Sequence, residues 1–111
     1  MTGQLGTSHW MAPEVIRNTN YSNKADVYSY GIIIWEICTR ITPYNDMNPQ
    51  QISFYVTVNK GRPDKNVIPG NAPLELIKLM EMCWDDNPDN RPSFEEIILY
   101  MKRIKNNYNS Y

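Results

Sequence analysis

Residues 26–39, Asp-Val-Tyr-Ser-Tyr-Gly-Ile-Ile-Ile-Trp-Glu-Ile-Cys-Thr, constrain this chain more than any other stretch. Val27, Tyr30, Ile34, Ile37 and Ile41 recur at helical spacing, and Ile32, Ile33 and Trp35 fill the other faces. The β-branched residues make a buried strand the competing reading, but the run exceeds ordinary strand length. A helix that is apolar nearly all round must lie inside a larger structure. Its strongest apolar run, Gly31 to Trp35, is broken by Glu36 and is far too short to cross a bilayer. Asp26, ahead of the run, is the expected N-cap.

The other segments read as shorter helices marked off by Pro and Gly. Residues 2–11 carry two glycines and no helical period, so they are expected to be loop. Pro13 can open a short helix to about Arg17. Asn48 and Pro49 look like a cap and first-turn proline for a helix through about Val58. Residues 61–71 hold Gly, Pro and Asn and should connect irregularly. Pro73 opens a helix with Leu76, Ile77, Leu79, Met80 and Cys83 on its core side. Ser93 and Glu96 have capping-box spacing, and Ile97, Ile98, Met101 and Ile104 give the final helix an apolar stripe. The fold class expected is all-α, with four or five helices around the central buried one. Residues 1–105 form the domain, and 106–111 a polar, flexible tail.

The 111 residues carry a formal net charge of −1, with 41% apolar and 21% charged residues. That balance suits one globular domain and gives no steering toward nucleic acid or an anionic membrane. The Lys102-Arg103-Ile104-Lys105 cluster complements a helix C-terminus. Gly3-Gln4-Leu5-Gly6 has the spacing of a nucleic-acid clamp but neither the α/β context nor the basic excess. Cys38 and Cys83 sit singly in apolar patterns and read as free thiols in a reducing compartment. No signal peptide is visible, and a cytoplasmic location is expected. His9, the single histidine, has no triad-like partners.

Three stretches together resemble the large lobe of protein kinases. Gly6-Thr7-Ser8-His9-Trp10-Met11-Ala12-Pro13-Glu14 looks like the end of an activation segment with its Ala-Pro-Glu signature. Residues 21–31, Tyr-Ser-Asn-Lys-Ala-Asp-Val-Tyr-Ser-Tyr-Gly, are similar to the entry into that lobe's central helix. Residues 83–94, Cys-Trp-Asp-Asp-Asn-Pro-Asp-Asn-Arg-Pro-Ser-Phe, resemble the junction of its last two helices. The match spans nearly residues 2–104 and is nearest the tyrosine-kinase-like group of Ser/Thr kinases. No proline precedes Trp10 within residues 7–11, and Gly6-Thr7 fits the Ser/Thr pattern. Asn87 departs from the family's usual Asp.

The resemblance implies roles residue by residue. Thr7 would help place the acceptor hydroxyl, and Gly6, Thr7, Ser8 and Trp10 would line the substrate site; Trp10 can equally be a packing residue. Glu14 and Arg91 would form a buried structural ion pair. Asp26 would hold the backbone of the catalytic loop as well as capping its helix. Thr2 lies where activation-loop phosphorylation occurs. No Gly-x-Gly-x-x-Gly, His-Arg-Asp or Asp-Phe-Gly occurs in the sequence, so no catalytic residue, metal site or cofactor is assigned to this chain. An intact family member uses ATP and Mg²⁺. The expected partners are a protein substrate or the missing N-terminal kinase half. The alternative is a non-catalytic interaction module that binds a partner around residues 48–58. Without its neighbours the central helix should leave two or three large side chains exposed, making the isolated chain marginal, self-associating or a truncated form of a longer protein.

Overall fold

The computed structural model describes residues 7–19 and 22–109. Five α-helices follow in order: α1, Pro13–Ile16; α2, Lys24–Thr39; α3, Pro49–Thr57; α4, Leu74–Cys83; and α5, Phe94–Asn109. Short 3₁₀ turns lie at Thr7–His9, Lys65–Val67 and Pro88–Asn90, and there is no strand among the described residues. The all-α expectation holds.

α2 is the central element and packs chiefly on α4. Its buried residues form two adjoining rows, Ala25, Tyr28, Ile32, Trp35 and Val27, Gly31, Ile34. Gly31 is where the helices come closest. A Cβ there would lie 2.9 Å from the Cβ of Cys83 and 3.1 Å from the Met80 carbonyl, so only glycine fits without a shift. This contact decides which face of an otherwise uniformly apolar helix turns inward. Leu79, Met80 and Cys83 meet it from α4, all fully buried.

Three expectations need correction. Asp26 is not the N-cap: the helix starts at Lys24 and Asn23 holds the cap position. The Ser22 hydroxyl accepts from the Lys24 N–H, and the Ser22 carbonyl from the Ala25 N–H, so the first turn closes earlier. Asp26 is exposed in that first turn, where its charge still suits the helix dipole. Second, Ile41 is not on the helical row of α2, whereas the one-sided burial of α2 agrees with the expectation of two or three exposed large side chains. Ile37 is 70% and Ile33 41% exposed, and Ile41 lies beyond the helix, which ends at Arg40 with φ 59°. Third, Ile98 in α5 is exposed, because Ile97, Met101 and Ile104 make the row that faces the core.

Local capping chemistry positions the outer helices. Asn48 Oδ1 accepts from the Gln51 N–H and Gln51 Oε1 from the Asn48 N–H, both at 2.8 Å. Ser93 and Glu96 form the same box at 3.1 and 2.9 Å. α5 stays helical to Asn109, past residue 105, and the Asn107 amide there donates to Glu75 of α4 at 3.0 Å.

Candidate functional site

The segment before α1 is fixed to the central helix at two points. Ser29 Oγ donates to the Trp10 carbonyl at 2.6 Å, and the Trp10 indole N–H donates to Glu36 Oε1 at 3.2 Å. Ser29 and Glu36 are seven residues apart on α2, so they share one face of the helix. The turn Thr7–His9 also packs against α3, and His9 sits beside Trp10 with ring centroids 5.3 Å apart. Arg17 adds a bond from its guanidinium to the Thr57 carbonyl at 2.7 Å, joining α1 to the end of α3.

Behind this segment stands a buried clamp. Arg91 Nη1 donates to Glu14 Oε2 at 2.7 Å and Nη2 to Glu14 Oε1 at 3.0 Å, a two-pronged pair between residues 77 apart in sequence. Arg91 is 2% exposed and Glu14 7%. The same guanidinium makes two further bonds: Nη1 reaches the Lys24 carbonyl at 3.0 Å and Nε the Asp85 carbonyl at 2.8 Å. Lys24 returns a bond from Nζ to the Arg91 carbonyl at 2.6 Å. Burial pushes the Glu14 carboxyl up, but hydrogen bonds and charge from Arg91 outweigh it, and its pKa lies below the ordinary 4.5. One guanidinium thus ties α1, the start of α2 and the α4–α5 junction together.

A second arginine lies close by. Arg62 Nε donates to the Trp84 carbonyl at 2.8 Å, and its guanidinium lies 5.0 Å from the centre of the Tyr28 ring. Arg91 approaches the same ring at 5.2 Å. Asn87 takes a local role, its Oδ1 accepting from the Asp89 N–H at 3.0 Å. Both cysteines are free, and burial raises both thiols, Cys83 to about 12, so neither is a poised nucleophile.

Of the residues singled out from the sequence, Glu14 and Arg91 meet in the clamp, and Ser8 and Trp10 stand in the segment it supports, both half-buried. Thr7 opens the 3₁₀ turn and is described by its backbone alone; Thr2 and Gly6 lie outside the described residues. Asp26, two residues after Lys24 in the first turn of α2, is exposed and makes none of the clamp's hydrogen bonds given above. Sequence reading missed Lys24, Ser29, Glu36 and Arg62. Only Glu36 carried a signal, as the one charge inside an apolar run.

The sequence of residues 2–101 matches the family model described as protein tyrosine and serine/threonine kinase. The chain belongs to this family. It corresponds to the C-terminal part of a kinase domain of the tyrosine-kinase-like type. Similar proteins include the dual specificity protein kinase shkD of Dictyostelium discoideum, 47% identical over 89% of this chain and 13% of its own length. The serine/threonine/tyrosine-protein kinase HT1 of Arabidopsis thaliana is 39% identical over 91% of this chain and 25% of its own. The serine/threonine-protein kinase STY46 of the same plant is 43% identical over 94% and 18%. The kinase chain described here therefore spans a quarter or less of these relatives. No helix among its described residues is long and apolar enough to cross a membrane.

Proposed function

We propose that this chain is the substrate-docking part of an ATP-dependent protein Ser/Thr kinase, in which residues 6–10 receive the acceptor segment of a protein substrate. The clamp of Glu14 by Arg91, directly behind that segment, is the observation that carries the reading. Phosphoryl transfer asks the protein mainly to position two reactants, and a loop locked by a buried two-pronged ion pair is suited to that task. Thr7 is the orienting residue and Trp10 the wall that the substrate meets. ATP and Mg²⁺ belong to a catalytic half that packs over the exposed side of α2, where Ile33 and Ile37 stand uncovered and Asp26 is free to bond a catalytic loop. On this reading the protein acts in the cytoplasm, and the 111 residues alone transfer no phosphate.

A chimera tests this. The residues preceding the matched segment in the kinase domain of shkD are joined to this chain, and phosphate transfer from ATP to a mixed Ser/Thr peptide library is measured. The chimera should phosphorylate Ser and Thr, and Thr7→Ala should cut kcat on the order of 10²-fold by loss of alignment. A chimera that folds and binds ATP yet transfers nothing would sink the proposal.

A second reading is favoured by one surface. Phe54 on α3 and Val58 just after it are 58% and 61% exposed, and Phe54 lines a hollow of ≈ 440 Å³ with Met47 and Tyr55. A non-catalytic module would bind its partner there. The folded but inactive chimera is the outcome that would favour it.

A further inference from the structure

Trp10 is held at both ends by one helix. The Ser29 hydroxyl donates to its carbonyl at 2.6 Å, and its indole N–H donates to Glu36 Oε1 at 3.2 Å. The anchors are seven residues apart, a rise of about 10 Å along a helix. Trp10 therefore lies along two turns of α2, its backbone at one end and its ring nitrogen at the other. Neither anchor is spent on α2 itself. A serine inside a helix can return its proton to the carbonyl four residues back. Ser29 stands 3.4 Å from that carbonyl, of Ala25, and gives its short bond to Trp10. Glu36 is the one charge between Val27 and Thr39, and its half-buried carboxylate accepts from the indole.

We infer that Ser29 and Glu36 are positioning residues of the docking site. They act through Trp10: Ser29 fixes where its main chain lies, and Glu36 fixes the tilt of the indole against which the peptide packs. The inference rests on the docking reading proposed above and adds to it the two residues that set the wall. Phenylalanine has no ring N–H to give, and a tyrosine hydroxyl stands at a different point of the ring, so only tryptophan completes this bridge as built. The bridge is also separate from the core. Ser29 and Glu36 share one face of α2, whereas Gly31, two residues on from Ser29, turns the opposite face onto Cys83 and Met80 of α4. Losing either anchor therefore frees the wall while the contact between α2 and α4 stays closed. The effect of such a loss falls on peptide affinity, by roughly 3–10-fold for one hydrogen bond.

Nitrogen-15 NMR of the 111-residue chain reads this directly, because its three tryptophans give three indole N–H resonances. Trp35, whose indole donates to the Asp64 carbonyl at 2.8 Å, and Trp84 report the fold; Trp10 reports the wall. A mixed Ser/Thr peptide library is titrated into wild type, Ser29→Ala, Glu36→Leu and Glu36→Gln. Glu36→Leu should shift the Trp10 resonance, leave those of Trp35 and Trp84 in place and weaken peptide binding. Ser29→Ala should weaken binding likewise. Glu36→Gln keeps an oxygen that accepts from the indole and should restore both resonance and affinity. A Trp10 resonance that moves in Glu36→Leu while peptide affinity stays the same overturns the inference and leaves the docking reading standing. Failure of Glu36→Gln to restore affinity also overturns it, since the carboxylate charge would then act on the peptide itself. Loss of the Trp35 and Trp84 resonances in the variants would make the two bonds part of the fold and not of the site. A wild-type chain that takes up no peptide brings down the docking reading, and the inference with it.

Discussion

Two ion pairs of nearly equal length behave as opposites. Arg91 meets Glu14 at 2.7 Å and Lys65 meets Glu81 at 2.6 Å. The side chains of the first pair are 0% and 9% exposed; those of the second are 55% and 39%. Distance therefore says little about what either contributes. In the buried pair both charges have left water, and each depends on the other and on the surrounding carbonyls. In the surface pair, water and salt replace whatever is lost.

The contrast is sharpest when one partner is removed. Arg91→Ala strands the Glu14 carboxylate in the interior and removes the guanidinium donors to the carbonyls of Lys24 and Asp85. The expected loss is roughly 3–5 kcal/mol, measured by urea unfolding. Arg91→Lys should not rescue it, because an ammonium cannot reproduce the two-pronged bond. A loss below about 1 kcal/mol would mean that the pair behaves like one on the surface.

Acid separates the pairs without mutation. The Glu14 pKa is below 4.5 in the folded protein, so its stabilising effect is complete above that unfolded value. The effect is lost as pH falls through the folded value. Unfolding midpoints taken from pH 7 downward should drop below about pH 4.5, and Glu14→Gln should flatten that acid limb. An acid limb of equal slope in wild type and variant would show that other carboxylates cause it.

What the sequence disclosed follows from how local each signal is. Ser93 with Glu96 is a capping box complete within four residues and legible at sight; at Asn48 the cap and its proline were legible, while the return bond from Gln51 came from the structure. The partnership of Glu14 and Arg91 spans 77 positions and was reached through resemblance to a family, because no local chemistry links two such distant residues. The inward face of α2 was not legible, since a helix apolar on every side gives no moment to read. Gly31 held the answer, but a close approach becomes visible only when the helix it meets is in place. Arg62 sits in an irregular stretch without period, so nothing marked it as the residue around which Tyr28, Trp84 and Asp86 are arranged.

Ser93→Ala falls between the two ion pairs in expected size. It removes the hydroxyl that accepts from the Glu96 N–H, and a lost cap costs about 1 kcal/mol, read as a shift in urea midpoint. The charge pairs bracket it. A cap that matched Arg91→Ala would imply that the α4–α5 junction is held by the box and not by the guanidinium.

Lys65→Ala is expected to have the smallest effect. Its ammonium is held by one carboxylate at the surface, and an exposed pair contributes about 0.2–1 kcal/mol when measured by double-mutant cycle. A cycle with Glu81→Ala should give a coupling in that range, shrinking further as salt is raised, whereas the Arg91–Glu14 coupling should barely respond to salt because solvent does not reach it. Equal salt sensitivity in the two cycles would remove burial as the reason for the difference and leave geometry alone to explain it.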